Sequence, residues 1–104
     1  ALISSAGFNA YPKEVEAEID AIDGVVESAV VGLPHPDLGE GVTAVVATGP
    51  GSPLTETMVL SALSGRLARY KQPKRVLFVE HLPRNAMGKV QKALLRELHG
   101  NLYD

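Results

Sequence analysis

Val25-Val26-Glu27-Ser28-Ala29-Val30-Val31-Gly32 and Val42-Thr43-Ala44-Val45-Val46-Ala47-Thr48, joined by Leu33-Pro34-His35-Pro36-Asp37-Leu38-Gly39-Glu40, decide how this chain folds. Each run is short, rich in β-branched residues and almost continuously apolar, which predicts two well-buried strands. The connection carries two prolines and reads as a loop. Two adjacent strands joined by a loop predict an antiparallel pair with helices packed against it, an α+β arrangement.

Upstream, Pro12 reads as the first residue of a helix, where its missing N–H costs nothing. Val15, Ile19 and Ile22 then place one apolar stripe on it. Glu14 and Glu16 suit its positive end, and Gly24 can close it. The residues before Tyr11 read as a strand or hairpin turning at Gly7. Downstream, Gly49-Pro50-Gly51-Ser52-Pro53 is a surface turn, and Thr55 can cap a helix with Val59, Leu60, Leu63 and Leu67 on one side. That helix is expected to run to Lys71-Gln72-Pro73. Arg75 to Glu80 is a third strand candidate, Leu82 to Gly88 a loop, and Val90, Leu94 and Leu98 mark a last helix ending near Gly100. The expected fold is α+β: a small antiparallel or mixed sheet of about three strands plus an N-terminal hairpin, flanked by three helices, in one domain over residues 1–104.

With 104 residues, 45% of them apolar, the chain can form one modest core. It holds no apolar run of membrane-spanning length and no signal-peptide pattern. The absence of cysteine excludes disulfides and thiolate chemistry and suits a reducing compartment, so the cytoplasm is the expected location. Residues 1–60 carry one basic residue against nine acids, whereas residues 61–104 carry nine basic residues against three acids. This split suits either an anionic partner for the second half or solvated helix faces. A pI near 5.9 does not match a nucleic-acid-binding domain. The chain opens at Ala1 as if a strand were entered partway, so a fragment of a longer chain is expected.

One loop stands out for chemistry. In Pro83-Arg84-Asn85-Ala86-Met87-Gly88-Lys89 a lysine follows a glycine where the last helix is expected to begin, a place suited to an ammonium that reaches an anion. It is no P-loop, lacking the spaced second glycine and the Ser/Thr after the lysine. Geometry alone favours a solvated surface lysine. His35, His81 and His99 lack metal-ligand spacing, no Ser/His/Asp set is placed, and Asp37 and Glu40 read as a solvated loop pair.

Two segments together carry more. Gly7-x-Asn9-x-x-Pro12-x-Glu14-Val15-Glu16 and Leu82-Pro83-Arg84-x-x-x-Gly88-Lys89-Val90-x-Lys92 resemble two signatures of the adenylate-forming enzymes: acyl-CoA synthetases, peptide-synthetase adenylation domains and beetle luciferases. Ala29-Val30-Val31-Gly32-Leu33-Pro34-His35 with Gly39-Glu40, and Arg69-Tyr70-Lys71-Gln72-Pro73, also look like stretches of that family, in the expected order. The wording of the first and last segments is similar to bacterial malonyl-CoA synthetases.

The resemblance implies the mobile C-terminal domain of an acid–CoA ligase, with a large N-terminal domain absent here that holds the acid pocket and most contacts to ATP and Mg2+. Lys89 would be the adenylation lysine, clamping two anions and not acting as a nucleophile. After a domain rotation, the turn at Ala6 and Gly7 would line the channel for the pantetheine arm of CoA. Asn9 and Gly88 belong to the same motifs and are expected to contact the nucleotide or CoA. The partners implied are the chain's own N-terminal domain, a small carboxylic acid, ATP and CoA, and the 104-residue chain alone is expected to be inactive. Family members are acetylated at the position of Lys89, so an alternative is a stand-alone, non-catalytic module recognised by a lysine acetyltransferase. Ala6 departs from the Gly-Gly or Ser-Gly that the family commonly has before the aromatic position.

Overall fold

The computed structural model describes residues 2–104. Strands β1 (Ile3–Ser5) and β2 (Phe8–Ala10) form the N-terminal hairpin, followed by α1 (Pro12–Asp20), β3 (Val25–His35), β4 (Gly39–Thr48), α2 (Glu56–Leu63), a short 3-10 turn (Arg69–Lys71), β5 (Arg75–Val79) and α3 (Lys92–Leu98). The fold is α+β as expected. The hairpin is not separate, however, because β1 meets β4 at Ser5 and Gly39 and so belongs to one five-stranded sheet. That sheet is mixed: β3 runs antiparallel to β4 and β5 runs parallel to it.

The near-continuous apolar character of β3 and β4 follows from burial on both faces. On one face Val30, Val42, Ala44 and Val46 pack with Val15 and Ile19 of α1 and Val59 and Leu63 of α2. On the other, Ala29, Val31, Leu33 and Val45 pack with Leu82, Leu95 of α3 and the tail residues Leu102 and Tyr103. Thr43, fully buried on that second face, exchanges a 2.8 Å hydrogen bond with the Tyr103 hydroxyl. Burial raises the Tyr103 pKa above the usual phenol value, against the lowering effect of that bond.

The stretch Leu33–Glu40 is not a loop. Pairing continues through Pro34↔Glu40 to His35↔Gly39, leaving only Pro36-Asp37-Leu38 as the connection. Pro34 is tolerated because β3 is an edge strand, so its missing donor breaks no ladder bond. Helix α1 begins at Pro12 as predicted and ends at Asp20, with Gly24 at φ +96° in the following turn. Thr55 caps α2, its Oγ1 accepting from the Met58 N–H at 3.2 Å. That helix stops at Leu63 and not near Lys71. The Gln72 side chain donates to the Leu63 and Leu67 carbonyls at 2.7 and 2.9 Å, and Ser64 Oγ takes the Ser61 carbonyl. The Leu63 carbonyl also accepts from the Arg66 and Leu67 amides at 2.9 and 3.3 Å, so the Gln72 side chain reinforces the turn that follows the helix.

Among the described residues four ion pairs hold the layers together: Glu14–Lys71, Glu16–Lys92, Glu27–Arg84 and Glu56–Arg75. Every acid comes from the first 60 residues and every base from the last 44, so part of the charge asymmetry is consumed internally. Glu56 Oε2 accepts from the Val76 N–H at 2.7 Å and from Arg75 Nε at 2.9 Å. The backbone bond is the main cause of its lowered pKa, assisted by Arg75 and opposed by partial burial. The Lys71 ammonium is held above the usual lysine value chiefly by its bond to Glu14.

Helix α3 turns a different face inward from the one expected. Leu95 is 1% exposed, while Leu94 and Leu98 are 41% and 65% exposed. The helix also starts at Lys92, after Lys89 rather than at it. Leu95→Ala should therefore cost about 3 kcal/mol, whereas Leu94→Ala should cost under about 1 kcal/mol, measured by urea denaturation of each variant. The reverse order would show that Leu94 faces the core.

Candidate functional site

The loop bearing Lys89 leaves the core at buried Leu82 and folds back on itself. Arg84 and Val90 form an antiparallel bridge, and the Gln91 N–H donates to the Pro83 carbonyl at 2.8 Å. Inside, the Asn85 N–H donates to the Lys89 carbonyl at 3.0 Å and the Gly88 N–H to the Asn85 carbonyl at 2.9 Å. The Asn85 side-chain oxygen accepts from both the Met87 and Lys89 amides, at 2.9 and 3.0 Å. Gly88 sits at φ +84° with nothing within 4 Å of where a Cβ would stand, so backbone conformation and not crowding calls for glycine there.

The Lys89 side chain is exposed and, among the described residues, no carboxylate lies within 4.0 Å of its ammonium. Its neighbours Arg84 and Lys92 are both paired, with Glu27 and Glu16. Lys89 overlooks an open groove lined by Lys13, Glu16, Asn85, Lys92 and Arg96, with Ala29 also in its wall. Glu16, the carboxylate in that groove, is already engaged: it accepts from the Val30 N–H at 2.8 Å and pairs with Lys92 at 2.7 Å. Lys13, Lys89 and Arg96 are left without an acidic partner among the described residues. The surplus favours an anion. It does not fit a divalent metal, and no group of three His, Asp or Glu side chains among the described residues could hold one.

Ala6, Gly7 and Asn9 lie elsewhere, on the N-terminal hairpin. Ala6 and Gly7 take φ +52° and +83°, the pattern of a type I′ turn between Ser5 and Phe8. The Ala6 N–H donates to the Leu38 carbonyl at 2.8 Å, fastening the turn to the β3–β4 connection. Asn9 is exposed on β2, paired with Ser4 across the hairpin. Beside the turn, exposed Phe8 packs on Tyr70 with ring centroids 5.2 Å apart. Lys71 Nζ lies 5.6 Å from the Tyr70 ring and 3.0 Å from Glu14. The five residues singled out from sequence therefore form two clusters, Gly88 with Lys89 and Ala6 with Gly7 and Asn9. The groove at Lys89 contains none of the second set.

Sequence reasoning passed over Glu27, Arg84 and Asn85 as parts of the site. Asn85 carried a usable signal, since Asn readily bonds the backbone two residues on and so builds tight turns. Nothing local could reveal Glu27, which is 57 residues from Arg84. The resembling segments are physically joined: Glu14 and Glu16 of the first hold Lys71 of the third and Lys92 of the last.

Comparison with known proteins gives a consistent result. The profile of the family described as "AMP-binding enzyme C-terminal domain" matches residues 14–89. The methyl-dioxo-octahydro-indenyl-propanoyl:CoA ligase of Rhodococcus jostii (strain RHA1) is 50% identical over 89% of this chain, which spans 18% of that ligase. The long-chain-fatty-acid–CoA ligase FadD13 of Mycobacterium tuberculosis is 43% identical over 92% of the chain and 19% of its own length. Among solved structures, apo MatB from Rhodopseudomonas palustris superposes with a TM-score of 0.98 at 58% identity, over 99% of this chain and 21% of MatB. The chain thus spans about a fifth of the length of each relative.

Ala6 is the one non-glycine residue at positive φ among the described residues, a conformation costing an L-residue about 1 kcal/mol. Ala6→Gly relieves that strain but adds about 0.4–1 kcal/mol of unfolded-chain entropy, so stability should rise by no more than about 0.5 kcal/mol, read as an unchanged or slightly raised Tm in thermal denaturation. A clear fall in Tm would mean that the strain at Ala6 is smaller than the added entropy.

Proposed function

The chain belongs to the AMP-binding enzyme C-terminal domain family, and from that membership we propose that it is the C-terminal lid of an ATP-dependent acid–CoA ligase in which Lys89 serves adenylate formation. The observation that supports this reading is the pairing of a fixed backbone with a free ammonium. Lys89 stands on an internally bonded turn, extends into solvent without an acidic partner among the described residues, and overlooks a groove with surplus positive charge.

The chemistry makes use of such a group. A carboxylate attacking the α-phosphate of ATP brings two anions together, and negative charge grows at the phosphate as pyrophosphate leaves. One positive charge about 4 Å from one negative charge is worth on the order of 4 kcal/mol at an effective dielectric of about 20. Such a term, aimed at the transition state, accelerates the step without covalent participation. The described residues offer no carboxylate cluster for Mg2+, so that ion would be held by residues outside this chain. For the second half-reaction, attack of the CoA thiol on the acyl-adenylate, the Ala6-Gly7 turn with neighbouring Asn9 is proposed to border the pantetheine path after the lid rotates.

The acid is proposed to be malonate, on the strength of the motif wording and the likeness to MatB. The acid pocket itself is assigned to the N-terminal domain that the resemblance implies. The cytoplasm is the proposed location, in keeping with a cysteine-free chain.

Lys89→Ala in the complete ligase tests the assignment. Pyrophosphate release with malonate and ATP should fall about 100- to 1,000-fold, in line with the loss of one preorganised charge. Thioester formation from supplied malonyl-adenylate should stay within about threefold of the unmodified enzyme. Equal loss in both half-reactions would remove Lys89 from the adenylation step.

A further inference from the structure

Arg84, Asn85, Ala86, Met87, Gly88 and Lys89 are all exposed, Met87 at 93%, so apolar burial contributes almost nothing to their order. A loop of this composition would ordinarily sample many conformations, and a shift of about 1 Å in a reacting group can cost on the order of 100-fold in rate. Something other than packing has to hold the Lys89 backbone. The structure shows what does.

Each peptide group flanking Lys89 is held within the chain. Its N–H donates to Asn85 Oδ1 at 3.0 Å, and its carbonyl accepts from the Asn85 N–H at 3.0 Å and from Gln91 Nε2 at 3.1 Å. The preceding carbonyl, that of Gly88, accepts from Arg84 Nη1 at 2.6 Å. The other arm of the same guanidinium pairs with Glu27 on β3. A planar guanidinium can serve a carbonyl and a carboxylate at once from its fixed fork, which a lysine ammonium on a flexible stem cannot reproduce. Glu27 follows a register irregularity in β3, where a bulge can re-aim a side chain. The chain Glu27–Arg84–Gly88 carbonyl thus ties the exposed turn to the sheet, while Asn85 sets its internal shape.

We infer that Asn85 and the Arg84–Glu27 pair are positioning residues for Lys89, holding its Cα still while leaving its ammonium free, an inference that rests on the adenylation role proposed above. As a surface ion pair alone, Arg84–Glu27 would be worth about 0–1 kcal/mol and would have little effect beyond stability. The value of the bracket lies in geometry at Lys89.

The test uses the complete ligase with Asn85→Ala, Asn85→Ser, Arg84→Lys and Glu27→Gln, each measured beside Lys89→Ala. Asn85→Ala should lower the kcat of pyrophosphate release about 30- to 100-fold, with the KM for ATP changed less than about threefold. Thioester formation from supplied acyl-adenylate should remain within about twofold. Asn85→Ser, whose hydroxyl can accept the same backbone bonds more weakly, should recover to within about fivefold of the unmodified enzyme. Arg84→Lys and Glu27→Gln should each lower the same step about tenfold, and combining them should add little, as expected of residues acting through one bond. The inference is overturned if Asn85→Ala leaves adenylation within about twofold while Lys89→Ala abolishes it. It is equally overturned if Asn85→Ala and Asn85→Ser are alike, or if both half-reactions fall together. Should Lys89→Ala itself leave adenylation intact, the proposed role of Lys89 fails first and the inference falls with it.

Discussion

Strand β4 is flanked on both edges and covered on both faces, and the remaining elements are placed relative to it. Its antiparallel partner β3 closes one edge along the full length, while β1 and β5 share the other. Alternate side chains of this one strand feed two separate cores, Val42, Ala44 and Val46 toward α1 and α2, and Val45 toward α3. A strand in that position must be small and apolar at nearly every residue, and Val42 to Ala47 has that composition. Burying both faces lets a domain of 104 residues support an exposed, unpacked loop elsewhere.

Electrostatics then join what the sheet cannot. An acidic first half and a basic second half meet across the fold, among the described residues, in four ion pairs. These contacts are partly exposed and individually weak. Their contribution is to location: Glu16 couples α1, the edge of β3 and Lys92, and Glu27 couples β3 to the turn before Lys89. Bases without an acidic partner among the described residues, Lys13, Lys89 and Arg96, collect around one groove. The surplus positive charge of the second half is therefore partly structural and partly presented to solvent.

The Lys89 turn and the Ala6-Gly7 turn solve opposite problems. The first orders a backbone without burial, using side-chain-to-backbone bonds from Asn85 and Arg84. The second accepts backbone strain at Ala6 and is fastened by one bond to Leu38. Both turns are exposed at the surface of the domain.

Much of this could be read from the chain alone, where the cause was local. Pro12 starts α1 because its ring suits a first helical turn, Thr55 caps α2 because its hydroxyl reaches three residues on, and the β-branched runs form strands. The motifs around Gly7 and Lys89 likewise identified the family before any coordinate. Three features depended on distant partners and could not be read locally. Pro34 stays in a strand because β3 lies at an edge; Leu95 and not Leu94 is buried because both satisfy helical spacing and only the position of the sheet chooses between them; the turn after α2 is closed by Gln72, which returns to bond the Leu63 and Leu67 carbonyls. The same holds at the site. Sequence singled out Lys89 and the glycine before it as candidates, since residue identity and turn chemistry act over a few bonds. Tertiary structure alone decided that its backbone is held from β3 by Glu27 through Arg84, because an interaction spanning 57 residues exists only once the chain has closed on itself.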